Sequence, residues 1–193
     1  MKFQRSPVYG FTTKANGIAR ELNNEVHLSE FYDPASGVIQ PSKKPYSAVW
    51  DTGATNTVIS RKIVKELNLQ PSGRVTVSAV GEGDTLHEFE AETFFINISL
   101  PNNVEIIGVR VSEGAVGGAD VLIGMDIINH GDFAITNCNG QTWWTFRVPP
   151  IERIDFVEEI SESKRNYLHQ QKTKVHKKNK IKMQKTSKKK SKK

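Results

Sequence analysis

Asp51 is the first residue of this chain whose surroundings suggest chemistry. It follows the apolar run Ala48-Val49-Trp50 and precedes Thr52-Gly53-Ala54-Thr55. A carboxylate leaving a buried strand is commonly a turn former or helix cap. The residues after it favour a second use. Glycine lets its own N–H approach the carboxylate, and threonine supplies a hydroxyl that can lock the loop. A carboxylate held so rigidly can take up and return a proton at a fixed position, as general acid–base work requires.

A second segment, Val121-Leu122-Ile123-Gly124-Met125-Asp126-Ile127-Ile128, reads as a buried strand ending in glycine and entering a short helix. Between the two lies Ala79-Val80-Gly81-Glu82-Gly83-Asp84, a glycine-bearing turn between alternating stretches. Neither GxxxxGK[ST] nor GxGxxG is present, so this turn is not read as a phosphate loop. The five histidines (His27, His87, His130, His169, His176) lack HExxH or similar spacing. Cys138 stands alone, with no CxxC partner for zinc and no intramolecular disulfide. No metal and no cofactor are expected.

The elements that must position these residues are mostly strands. Alternation predicts strands over Ile18–Leu28, Tyr46–Trp50, Arg74–Val80, Phe89–Leu100 and Val104–Val111, with a loop over Tyr32–Pro45. Asn139-Gly140 predicts a tight hairpin between Phe133–Cys138 and Gln141–Val148. Trp143 and Trp144, adjacent on that strand, face opposite ways, one toward the core. Ser60 is placed to cap a helix over Arg61–Leu69, and a short helix begins near Gly124 with Ile127 and Ile128 turned inward.

Charge divides the 193 residues unevenly. Residues 1–160 carry 13 basic and 20 acidic side chains, net −7, whereas residues 161–193 carry 14 basic and one acidic, net +13. The body suits one domain, and the tail has too little apolar surface to offset its ordering entropy. Disorder is therefore expected over 158–193, with at most a helix over Ile160–Gln171. Weak nonspecific attraction of nucleic acid or another polyanion through residues 164–193 is one use for such a tail. MKFQRSPVYGFTTK has no apolar run of the secretory type, and no 18-residue apolar stretch occurs. A cytoplasmic setting without membrane contact is expected.

Taken together, D-T-G-A at 51–54, the apolar-apolar-Gly segment ending at Gly124 and the intervening hairpin resemble the retropepsin-like aspartic protease family, in its bacterial and cellular form. That resemblance covers about Ile18 to Val148. It implies a mainly β, closed antiparallel acid-protease fold with one or two short helices, over residues 16–157, after an N-terminal extension 1–15. It also implies a homodimer acting on a protein or peptide substrate, because the chain has one DTG and the mechanism needs two carboxylates. In that class, a pair of carboxylates about 3 Å apart shares one proton and activates a water. By resemblance, Asp51, Thr52 and Gly53 are the catalytic segment, while Ala54, Val80, Gly81, Glu82, Gly83 and Gly124 meet substrate, residues 79–84 forming a flap.

Retroviral members carry an aspartate and an arginine at the positions of Thr55 and Met125, so that bracing ion pair is absent here. Two other readings compete. The run Asp51 to Thr57 also resembles the first phosphate loop of actin-like ATPases, whose two large α/β lobes this chain is too short to build. The other is a noncatalytic β-rich dimer that binds a peptide, or nucleic acid through its tail.

Overall fold

The computed structural model describes residues 7–80 and 86–190. It divides into two compact units, Met1–Ile151 and Glu152–Lys193. The first is built from ten strands and two short helices in the order β1 (Tyr9–Lys14), β2 (Leu22–Glu30), β3 (Lys44–Trp50), β4 (Val58–Ile59), α1 (Arg61–Glu66), β5 (Gly73–Val80), β6 (Leu86–Leu100), β7 (Val104–Glu113), β8 (Val121–Ile123), α2 (Met125–Ile128), β9 (Asp132–Cys138) and β10 (Gln141–Val148).

Seven strands form one sheet in the order β2-β3-β8-β4-β7-β6-β5, and β2 also pairs with β6. That extra pairing closes the sheet on itself and leaves the β5–β6 hairpin projecting from the ring. The fold is thus mainly β and closed, as expected. Most pairings are antiparallel, but β3–β8 and β4–β7 run parallel. Alternating side chains fill the interior, among them Val26, Leu28, Ile59, Phe94, Ile96 and Ile123, all fully buried. Closure pairs β2 with β6 and leaves β5 as the edge strand of the sheet.

A separate three-stranded sheet, β1-β10-β9, packs its apolar face on the end of β3. Phe11, Phe133 and Phe146 surround the Trp50 indole at ring-centre distances of 5.7, 5.4 and 5.3 Å, with Phe133 stacked nearly parallel to it. Alternation does not predict the strand β1. Its six residues hold only two large apolar side chains, and Phe11 alone is buried. Pairing along the whole of β10 is what organises it.

The expected Asn139-Gly140 hairpin is present, both residues having positive φ (52° and 73°) as a type I′ turn requires. Trp144 is buried and Trp143 is 38% exposed, as alternation predicts. Three expectations shift. The first long strand starts at Leu22 rather than Ile18, because Gly17 turns the chain with φ of 108° and leaves Ile18 exposed. Helix α1 ends at Glu66 instead of Leu69, where Asn68 takes a positive φ. Ser60 precedes α1 but its hydroxyl makes no cap: Oγ is buried with no partner.

The second unit is a helix, α3 (Phe156–Lys190), where the sequence predicts disorder. No glycine or proline interrupts this stretch. Asp155 caps it, its Oδ1 accepting from the N–H groups of Val157 and Glu158, and Glu158 and Glu159 suit the positive end of the helix dipole. Composition predicts that such a segment buries nothing, and its residues through 173 are exposed. Burial, however, is not needed for backbone propensity and a cap to bias the chain. No described helix is long and apolar enough to cross a membrane.

Candidate active site

The end of β3 is held from three sides. Tyr46, Ala48 and Trp50 point into the core, and the Trp50 Nε1 donates to Asn24 Oδ1 at 3.1 Å. One residue on, the Asp51 N–H donates to the Ile123 carbonyl at 2.9 Å, extending the parallel β3–β8 register past the strand. The first predicted segment is thereby laid directly against the second.

Within the loop, Asp51 Oδ1 accepts from the Gly53 N–H at 2.7 Å, and the Ala54 N–H reaches back to the Asp51 carbonyl at 3.3 Å. A Cβ on Gly53 would stand 3.1 Å from the same carboxylate oxygen, so a glycine here keeps that approach open. One Asp51 oxygen is thus oriented by backbone. Thr52 is exposed beside it, and its hydroxyl has no partner among the described residues.

The loop continues onto the start of α2. The Met125 N–H donates to the Ala54 carbonyl at 2.8 Å, and the Asp126 N–H to the Thr55 carbonyl at 3.1 Å. Thr57, fully buried, links the rest: its Oγ1 donates to Asp126 Oδ1 at 2.7 Å and accepts from the Gly124 N–H at 3.1 Å. Its own N–H donates to Asp126 Oδ2 at 2.9 Å. The positions that lack the retroviral ion pair, Thr55 and Met125, therefore contribute backbone instead, and a Thr57–Asp126 clamp braces the loop. Sequence reasoning misses both clamp residues. The available signal is an acidic residue in the first turn of a helix, which ordinarily indicates only a favourable dipole contact.

Gly124, expected to meet substrate, is buried beneath the loop. A Cβ there would fall 2.6 and 2.7 Å from the Asn56 backbone. Ala54 instead faces a cleft of 440 Å³ whose walls are residues 53–56, residues 75–78 of β5, and residues 110–112 of β7. The β5–β6 hairpin pairs to its end at Val80 and Leu86. Its tip, with Gly81, Glu82 and Gly83, lies outside the described residues.

Asp120 secures the approach to β8. Its carboxylate accepts from the Ser47 hydroxyl at 3.1 Å and from Lys62 Nζ at 3.2 Å. Partial burial works to raise the Asp120 carboxyl, but the hydrogen bonds from Lys62 and Ser47 outweigh it and hold the group below the ordinary aspartate range. Burial, reinforced by the Glu66 carboxylate at 3.0 Å from its hydroxyl, pushes Tyr46 well above the ordinary tyrosine range. Among the described residues no group of three or more His, Cys, Asp or Glu side chains could hold a metal.

No curated protein matches the chain. Among solved structures, a retropepsin-like aspartic protease from Rickettsia conorii superposes with a TM-score of 0.45 at 10% identity, over 75% of this chain and 98% of that one. The EIAV protease complexed with the inhibitor HBY-793 gives 0.40 at 15% identity, over 60% and 91%. Residues 39–130, which contain both segments of the site, match the family model described as "gag-polyprotein putative aspartyl protease". The similarity to that family model resides in the stretch that builds the Asp51 loop and its support.

Proposed function

We propose that the protein is an aspartic endopeptidase that works as a homodimer, with Asp51 of each protomer forming the catalytic pair. The observation that carries this reading is the seating of Asp51. Its carboxylate is fixed by the Gly53 N–H, and its loop is bonded at Ala54 and Thr55 to the segment after Gly124. The family match over residues 39–130 supports it.

In the assembled pair one Asp51 carboxylate takes a proton from a water as that water attacks the scissile carbonyl carbon. The protonated Asp51 of the second protomer donates a hydrogen bond to the carbonyl oxygen, and a proton then passes to the leaving nitrogen. The exposed Thr52 hydroxyl bonds across the two-fold axis and keeps the loops in register. Ala54 lies along the substrate backbone. The β5–β6 hairpin, through Val80 to Gly83, covers substrate and excludes water.

The test is digestion of a peptide library by the wild-type chain and by Asp51→Asn. The reading requires cleavage that the Asn variant loses while its melting temperature and dimer are retained, with chelators without effect. Equal cleavage by both proteins would refute it.

A further inference from the structure

Among the described residues, those lining the 440 Å³ cleft beside the Gly53–Asn56 loop include one charged side chain, Arg110. In the β6–β7 register Arg110 lies opposite Phe95 and Ser112 opposite Thr93, so all four share one sheet face. Arg110 Nη2 donates to Thr93 Oγ1 at 3.2 Å, and a Cβ on Gly73 would lie 3.5 Å from the same nitrogen. The guanidinium is therefore anchored over the start of β5 through one of its five N–H donors.

Among the described residues no carboxylate forms an ion pair with it. Among the described residues the ion pairs of the β unit use Lys43, Arg61, Lys62 and Arg147 as well as His27, and none uses Arg110. The acids bordering the depression on its other side are already engaged. Glu105 pairs with Lys43 and accepts from Ser99, and Asp126 is held by Thr57. The remaining cleft wall combines the aliphatic Val58, Val75 and Val77 with uncharged polar residues, Thr55, Asn56, Thr76 and Ser78 among them, and the Thr93 hydroxyl contacts the cation. A short aliphatic stem ending in a planar anion matches this lining, because a guanidinium holds a carboxylate through two parallel N–H donors.

Resting on the peptidase reading, we propose that Arg110 selects substrates carrying an aspartate or glutamate that seats in this cleft, beside the catalytic loop and away from the scissile bond. The substrates are thus acidic polypeptide segments. Selectivity of this origin weakens with added salt, since the guanidinium is exposed and screened.

The experiment uses the full chain bearing Asp51→Asn, immobilised and exposed to randomised decapeptides, with retained peptides sequenced by mass spectrometry. Asp and Glu should be enriched over Asn and Gln by roughly tenfold at one position. Adding Arg110→Gln should abolish that enrichment, Arg110→Glu should turn it toward Lys and Arg, and Arg110→Lys should retain part of it. Equal retention of acids and amides, or enrichment that survives Arg110→Gln, overturns the proposal. Digestion of the same library by wild-type protein separates the two readings. Cleavage without any acidic preference overturns the role of Arg110 alone, whereas acidic peptides that bind through Arg110 and are never cut overturn the peptidase reading alone.

Discussion

The Thr57 hydroxyl stands 2.7 Å from Asp126 Oδ1 and 3.1 Å from the Gly124 nitrogen, at a position with no solvent exposure. One buried oxygen thus joins the end of the Asp51 loop to the segment that follows β8. Thr57→Val keeps the shape but leaves the buried Gly124 N–H without its acceptor and Asp126 Oδ1 with only the Ile127 N–H, an effect of about 1–3 kcal/mol. The expected result is a lower urea midpoint with a proportionate loss of peptidase turnover, while Thr57→Ser stays close to wild type in both. A Val variant of unchanged midpoint would mean that the clamp contributes no stability.

Gly124→Ala tests the same junction from the other side. The added methyl would meet backbone atoms of Asn56 at 2.6 and 2.7 Å, and backbone cannot rotate away as a side chain can. Overpacking of this kind costs about 1–3 kcal/mol. The variant should melt earlier than wild type, and hydrogen exchange should rise in residues 51–57 more than in β2. Uniform exchange across the barrel would show that the loop is not where the strain falls.

Trp50→Ala should destabilise the protein more than either of these substitutions. It empties the space between Phe11, Phe133 and Phe146 and removes the Asn24 contact, and truncating a buried aromatic costs about 3–5 kcal/mol. Calorimetry provides the check. Because the cluster joins the β1-β10-β9 sheet to β3, the amides of β1 and β10 should lose protection together.

Asp120 gives a pH signature. Its carboxyl is held below the ordinary aspartate range, so the ionised form is favoured in the folded state. The stability from this group is fully present above the unfolded value of about 4 and is lost as pH falls through the lower folded value. Melting temperatures of wild type and Asp120→Asn should therefore differ most near neutrality and converge in acid. With Lys62 56% exposed, the difference should be small, about 1 kcal/mol or less from the ion pair. A gap that widens in acid would contradict the assignment.

Chain truncation before Glu152 separates the two units. The expected outcome is loss of helical ellipticity, with the calorimetric transition of the β unit unchanged, because the two form distinct compact units. A lowered transition would show that α3 contributes to folding of the β unit.

Local signals were readable wherever a short segment is enough to specify its own conformation. Asn139-Gly140 needs positive φ at two adjacent residues, and few pairs other than Asn-Gly accept it. Trp143 and Trp144 alternate because any strand does. The Asp51 loop and the Val121–Gly124 strand each had a recognisable pattern, and their order along the chain pointed to one fold. Beyond residue 158 composition speaks only to burial and is silent on a capped, uninterrupted helix such as α3.

Tertiary structure decided everything that depends on partners distant in sequence. Thr57 and Asp126 are 69 residues apart, and the worth of a hydroxyl depends on whether its surroundings exclude water and on what faces it. Ser60 shows the reverse case: its type and position suit a cap, yet the folded chain buries its oxygen without a partner. At Gly124 the sequence announces a glycine but not that the Asn56 backbone comes close to it. Arg110 had no signal at all. A lone arginine in an alternating strand is ordinarily a solvated charge, and it becomes a feature of a cleft only when closure of the sheet brings β5, β7 and the Asp51 loop around it.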